Sequence, residues 1–450
     1  MFHRRSLLLV LMILVPSCSK RSGDTTIINQ DVVPANPVVK EWRIPEMLGP
    51  MVAGSSASLS DLRFDASGNA FAVYMQNGIW ANLWTPASGW MGAGLISDGN
   101  PFASSPKITI DAAGNAIVVY SQLDDPSGGP ETSIWWNRYT AGVNWQAPQL
   151  LETVDEIAGD VQVACDAAGN AIAVWSSSDG SSSDLHFNRY VAGAGWTGAA
   201  PLEDGPEISS GARIGMDASG NALAVWNQFD GVDSFSVMAS RYLPVSGWTV
   251  PIPLVTGLEF TSNEEIAVNA AGDAIAVWTQ FDGLTSNLWS ASYRPASGWS
   301  IATLVETDDW PVSGGLQVGI DATGAGTAAW NAPLGIGTDD RVWSARYSPG
   351  GGWTPVELVG LLPNGIGPRL AVQPSGATGI VWLYADGFST SVLFSSHDGS
   401  GPWTSPVFVE FYENQCDNPV LAFDPDGNAM AVWSYYDDVL IFRLWANRYD

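Results

Sequence analysis

Cysteine, histidine and basic residues are all scarce. The 450-residue chain carries three cysteines, three histidines and 18 lysines plus arginines against 46 acids, a net charge of −28. So few histidines and cysteines leave no cluster with zinc-ligand spacing. The acidic balance repels nucleic-acid phosphates and anionic headgroups, so no nucleic-acid partner is expected. There is no nucleophile elbow, no His-Glu-x-x-His, no phosphate-binding glycine loop and no EF-hand ligand spacing. These absences weigh against an enzyme. Carboxylate pairs for glycoside hydrolysis stay open, because acids are plentiful.

Glycine and tryptophan, by contrast, are abundant, at 48 and 22 residues, which suits many short strands joined by tight turns. One phrase, Asp217-Ala-Ser-Gly-Asn-Ala-Leu-Ala-Val-Trp226, recurs along the chain. It opens at Asp65, Asp111, Asp166, Asp217, Asn269, Asp321, Gln373 and Asp424. Spacings of roughly fifty residues indicate a solenoid, propeller or array. In the fifth repeat, Glu265–Asn269 reads as a strand A, Ala270–Asp273 as a hairpin turn and Ala274–Trp278 as strand B. Leu288–Tyr293 reads as strand C, and Trp299 to about Leu304 as strand D. Four antiparallel strands per repeat make a propeller blade, with small residues near the axis and large ones in C and D toward the rim.

The last repeat has A, B and C but no D. Trp42-Arg-Ile-Pro-Glu-Met-Leu48 matches Trp248-Thr-Val-Pro-Ile-Pro-Leu254, a strand D, in residue type and spacing. Strand 42–48 is therefore expected to pair with 442–449 and remove the edge that an open array exposes. The fold class is all-β: an eight-bladed β-propeller of four-stranded antiparallel blades over 41–450, its ring closed by an N-terminal strand completing the last blade.

Five repeats couple an Asp at the end of strand A to an Arg at the end of strand C: Asp111 with Arg138, Asp166 with Arg189, Asp217 with Arg241, Asp321 with Arg346 and Asp424 with Arg448. Both positions change together in the fifth and seventh repeats. A structural ion pair or shared hydrogen-bond network under the turn is expected, since removing half of such a pair strands a charge.

Residues 1–18 read as a signal segment, with Arg4-Arg5 before an apolar stretch, Leu7–Val15, too short to span a bilayer. Its end, Val15-Pro16-Ser17-Cys18, resembles the lipobox of bacterial lipoproteins. The resemblance implies lipidation of Cys18, and Ser19 after it implies the outer membrane of the cell envelope. Residues 19–40 read as a flexible tether. Cys165 takes a core position of its repeat and Cys416 a loop between repeats, so no disulfide is expected. The strand-Asp-x-x-Gly-Asn-strand run resembles the opening hairpin of NHL-type propeller repeats. The Trp-rich blades look like eight-bladed propellers of quinoprotein-type repeats. Both resemblances imply architecture and not a ligand.

The A–B and C–D turns share one face of such a propeller; the variable B–C loops and D–A connections share the other. Variable loops on a rigid scaffold usually carry binding. Asp155, Glu156, Glu264, Glu265, Asp308 and Asp309 place acids there, making them candidates for binding a ligand or cation. The expected function is a lipid-anchored, monomeric, non-enzymatic binding or scaffolding module acting through this acidic face. A basic protein or a glycan is its partner, Ca²⁺ is an open cofactor, and the membrane is contacted only through the anchor. A carbohydrate-binding or sialidase-like propeller is the alternative.

Overall fold

The Asp-x-x-Gly-Asn phrase folds because its aspartate saturates its own turn. In the second repeat one oxygen of Asp111 accepts the Ala113 and Asn115 amides, each at 2.9 Å, and the other accepts the Asn115 side-chain amide at 2.8 Å. Asp65, Asp166 and Asp217 are bonded in the same way. The turn glycine is left-handed, at φ +84° in Gly169, a region glycine enters at no steric cost. A Cβ on Gly169 would also lie 2.7 Å from a carboxylate oxygen of Asp111 in the preceding blade. Five turns, at Gly114, Gly169, Gly220, Gly272 and Gly376, thus abut the preceding blade's aspartate, and amide-to-carbonyl bonds such as Ala112 to Ala167 (3.2 Å) and Ala218 to Ala270 (3.2 Å) link successive turns.

The computed structural model describes residues 40–450 except 49–54, 124–130, 153–155, 204, 206, 258–259, 307–310, 336–337, 411–414 and 437–440. Lys40–Asp450 form one compact unit. There is no helix among the described residues. Eight inner strands line the axis: Ser58–Phe64, Ser104–Ile110, Ile157–Cys165, Ile208–Met216, Thr261–Val268, Gly314–Ile320, Gly365–Val372 and Cys416–Phe423. Each packs beside the next, and the last packs beside the first, so the ring is closed. Each opens one antiparallel blade, numbered 1 to 8 here; one parallel bridge, Ile157 to Thr132, joins blades 2 and 3 into a single sheet.

Blade 8 is completed by the N-terminal segment. Glu46 pairs with Ala446, Met47 with Trp445 and Trp42 with Tyr449. Leu48 is fully buried among residues of blades 1 and 8, and Arg43 bonds Asp450 at 2.6 Å.

Strand D departs from the expected form. In blade 5 it is two short pairs, Gly298–Trp299 and Thr303–Leu304. In blades 1 and 3 a strand-C side chain spans the corresponding gap: Asn82 accepts the Gly92 amide and Asn188 the Gly198 amide, each at 3.1 Å. The size gradient also differs. Five strand-B tryptophans, Trp175, Trp226, Trp278, Trp382 and Trp433, are fully buried, while the strand-D tryptophans are half-buried. Each Trp in B sits where neighbouring blades face each other, and its burial is worth roughly 5 kcal/mol.

The coupled Asp and Arg positions require a correction. Arg448 bonds Asp424 at 2.6 Å. Arg138, Arg189 and Arg241 instead lie over the tyrosines of the next blade, Tyr190, Tyr242 and Tyr293, at 5.7, 5.9 and 5.8 Å. Arg346 bonds Glu357 at 3.2 Å. Each of the three ring contacts is a favourable cation–π contact, and Arg448 makes one as well, 4.5 Å over the ring of Trp84 in blade 1, while it bonds Asp424. In blade 5 Ser292 takes the arginine's place and meets the hydroxyl of the next blade's Tyr347 at 3.0 Å. A displaced pair, Arg294 with Asp273 at 2.5 Å, stands beside it.

Deleting residues 41–48 removes the buried Leu48 and bares the edge of strand 442–449. The deletion is expected to lower the melting midpoint by roughly 5 °C or more and to broaden the transition. An unchanged melting curve would contradict ring closure.

Candidate functional site

A β-bulge interrupts every inner strand just before its midpoint, as register shifts between Leu59 and Asp61 in blade 1 and between Gly159 and Gln162 in blade 3 illustrate. Seven of the bulges place a left-handed residue at one position: Ser105, Asp160, Gly211, Asn263, Gly315, Gly367 and Asn418. Bulges bend a strand and re-aim the side chains that follow. Two residues further on, four before the residue that opens the turn, lies a belt with one member per blade. Its members are Asp61, Lys107, Gln162, Arg213, Glu265, Gln317, Arg369 and Val420. All eight line the mouth of the central channel on the variable-loop face, a cavity of about 590 Å³. Deeper in, most of the corresponding positions are small, such as Ala164, Gly215, Ala267 and Gly319, and the channel continues to the turn face.

The mouth is charged differently from the rest of the molecule. Among the described residues Arg63, Lys107, Arg213 and Arg369 supply four positive charges and Asp61, Asp160 and Glu265 three negative ones, a balance of +1 on a chain of −28. Arg213 bonds Asp160 at 3.2 Å and Glu265 at 3.5 Å, and Arg63 bonds Asp61 at 3.3 Å. Among the described residues Lys107 and Arg369 have no ion-pair partner. Burial pushes the Glu265 carboxyl up, against the opposing pull of Arg213, Lys107 and Arg369. Hydroxyl and amide groups of Ser58, Ser60, Ser105 and Asn418 share the lining, and among the described residues no aromatic, histidine or cysteine does.

The acids expected to form a rim have separate fates. Glu265 is a belt member facing Arg213. Glu264 is buried between blades 4 and 5, where the Asn227 side-chain amide donates to it and Thr261 in turn donates to Asn227 at 2.7 Å. Gly211, lacking a Cβ, leaves room for its carboxylate. Glu203, Glu306 and Glu410 are also buried. Each accepts the amide of an early residue of strand C in its own blade: Leu185 at 3.1 Å, Leu288 at 2.9 Å and Val392 at 3.0 Å. These carboxylates tie the D–A connection to the sheet. Glu156 accepts the Ser177 hydroxyl at 2.6 Å, and Ser177 also meets Nδ1 of His186 at 2.9 Å. The order is wrong for a nucleophile: the hydroxyl lies between acid and imidazole, gives its proton to the acid, and is buried. Asp155, Asp308 and Asp309 lie outside the described residues. Among the described residues no three His, Cys, Asp or Glu side chains converge to hold a metal ion.

No family model and no curated protein matches this sequence. Among solved structures the chain is similar to an ulvan lyase of polysaccharide lyase family PL25, at a TM-score of 0.50 and 12% identity over 86% of this chain and 93% of that one. It is also similar to a puromycin hydrolase variant complexed with PGG, at 0.50 and 14% identity over 87% of this chain and 61% of that one. A microbial sialidase, Hz136, matches at 0.41 and 12% identity over 69% and 70% of the two chains, too distant to bear on a sialidase reading. The first two likenesses give the fold, a β-propeller, and no activity.

Burial pushes the Glu264 carboxyl from 4.5 up to about 8. The folded chain then keeps a proton that the unfolded chain releases near 4.5. The folded state binds more protons across that window, so this group's effect is to lower stability as pH rises through it. Glu264→Gln is neutral at every pH. Its stability relative to the parent is expected to grow from pH 5 to pH 8 in urea titrations; parallel curves would show that Glu264 does not titrate there.

Proposed function

We propose that this protein is a non-enzymatic binding propeller that takes a carboxylate-bearing glycan at the channel mouth on its variable-loop face. The supporting observation is the belt. A chain with 18 basic residues in all commits four of them to one cavity, two of which, Lys107 and Arg369, have no carboxylate partner among the described residues. Lysine and arginine inside a partly enclosed site bind carboxylates by charge-assisted hydrogen bonds. The surrounding Ser, Gln and Asn side chains suit hydroxyl groups. Among the described residues no aromatic ring lines the mouth, which disfavours a neutral sugar, usually gripped by stacking.

On this reading the propeller acts as a monomer in the bacterial cell envelope, lipidated at Cys18 and held at the outer membrane through residues 19–40. Ca²⁺ is not required at the mouth, where Arg213 already stands against Asp160 and Glu265; a calcium role falls to Asp155, Asp308 and Asp309. Cys18→Ser is expected to abolish incorporation of labelled fatty acid and release the protein from membranes. Incorporation that persists in the variant would refute the anchor.

The ligand reading is tested with an array of uronate-bearing and neutral oligosaccharides. Uronate glycans are expected to bind, and Lys107→Ala with Arg369→Ala to weaken them at least about tenfold, the loss of one charged hydrogen bond or more. Added salt should weaken the same ligands. Equal binding of neutral glycans, or undiminished binding by the double variant, would overturn the reading. Release of reducing sugars would move the protein to the enzymes.

A further inference from the structure

Three B–C loops on the variable face share one construction. In Asp230-Gly-Val232, Asp282-Gly-Leu284 and Asp386-Gly-Phe388 one aspartate oxygen accepts the amides that follow. Asp230 takes Val232, Asp233 and Ser234 at 2.9, 3.1 and 3.0 Å. Asp282 takes Leu284 and Thr285 at 2.8 and 2.9 Å, and Asp386 takes Phe388 and Ser389 at 2.8 and 2.7 Å. Each glycine is left-handed. The turns are rigid, yet each holds an apolar side chain away from the protein: Val232, Leu284 and Phe388 are 79%, 88% and 95% exposed.

Folding does not ask for those side chains. Blade 3 builds the same turn, Asp179-Gly-Ser181, with the Ser181 and Ser182 amides on Asp179 at 2.8 and 2.9 Å, and has a serine at the tip. Between the tips of blades 4 and 5 an aromatic stack adds to the patch. Phe229 stacks on Phe235 at 4.6 Å and Phe235 on Phe260 at 4.1 Å, and Phe260 is 65% exposed. The Phe260 carbonyl accepts the Phe281 amide at 2.9 Å, which ties the stack to the blade 5 strand that ends at the Asp282 turn, and Phe281 is itself 40% exposed. Exposed apolar side chains grouped in this way mark a site of contact.

We propose that the tips of blades 4 and 5, with the Phe260 stack between them, form a docking surface for a cationic amphipathic segment of another protein. Charge complementarity selects this occupant. The loops 227–236 and 279–288 contain no lysine or arginine. Asp230 and Asp282 have carboxyls held below the ordinary range by the amides they accept, so they stay ionised beside the apolar tips. The partner places apolar residues on Val232, Phe260 and Leu284, and Lys or Arg against the aspartates, the usual pairing of an apolar face with a charged rim. An anionic bilayer would meet the same carboxylates as repulsion. This surface is separate from the channel mouth and does not depend on the glycan reading.

The test uses the unit 40–450, which lacks Cys18, and a fluorescent amphipathic peptide of leucine and lysine, read by anisotropy. The reference peptide carries glutamate in place of lysine. The double variant Val232→Ser, Leu284→Ser gives each tip the residue type that blade 3 already carries and leaves the net charge unchanged. The lysine peptide is expected to bind and the glutamate peptide not to. The double variant should lose at least tenfold in affinity with its melting midpoint intact, while Val245→Ser on the opposite face should lose none. Equal binding by parent and double variant would mean unspecific attraction to an acidic protein and would overturn the proposal. So would equal binding of the glutamate peptide, or capture by phosphatidylcholine vesicles without peptide binding. If the double variant melts early, Leu284→Ser alone is read by the same two criteria.

Discussion

The structure depends on how an aspartate at the end of each of five inner strands shares itself between two blades. Its oxygens close its own hairpin, and its side chain leaves only enough room for a glycine in the turn that follows. Asp111 with Gly169 and Asp217 with Gly272 show the contact in successive pairs. A carboxylate bonded by two backbone amides and a side-chain amide is fixed in place, so the spacing between blades is fixed at the same time. Where the aspartate is lost, the junction is rebuilt by other means. Asn269 donates to the Asp321 carbonyl at 2.9 Å, and Gln373 stands against Gly427.

That rigid ring of turns frees the opposite ends of the strands. The bulges there carry left-handed residues that cost conformational energy outside glycine and asparagine. They are affordable because the other end of each strand is so well held. Their return is a belt of eight positions in which residue type varies from blade to blade without disturbing the fold. Scaffold and site are therefore separated along the length of a single strand: the invariant half faces the turns, and the half that differs among repeats faces the mouth.

Much of this was legible in the sequence. The turn, the strand count and the closing strand 42–48 could be read because each is local or repeated. The belt was equally regular in position, four residues before each turn, yet it carries eight positions with mixed chemistry. A search for repeated letters passes over it; a search for one repeated offset with changing letters would have found it. The fates of Glu264 and Glu265 were not legible, although the two are adjacent. A strand sends neighbouring side chains to opposite sides, and which side is buried depends on Gly211 in another repeat. The joint loss of Asp and Arg was visible, but it pointed to a contact within the blade. The arginines mostly reach across to the next blade, a distinction that one sequence does not encode. The burial of Glu203 and Glu410 was not legible either, because the amides they accept, those of Leu185 and Val392, come from a strand 18 residues back.

Closure of blade 8 by residues from both ends of the chain has a consequence for biosynthesis. Arg43 and Asp450 are bonded across 407 residues. In an unstructured chain, bringing such distant points together costs roughly 5 kcal/mol of loop-closure entropy, so this pairing is expected to form after the intervening blades have stacked. The strand of the ring that is made earliest therefore waits for the one made latest. Until then Phe442–Tyr449 and its neighbours present a bare edge, and the nascent protein relies on its charge of −28 to keep such edges apart.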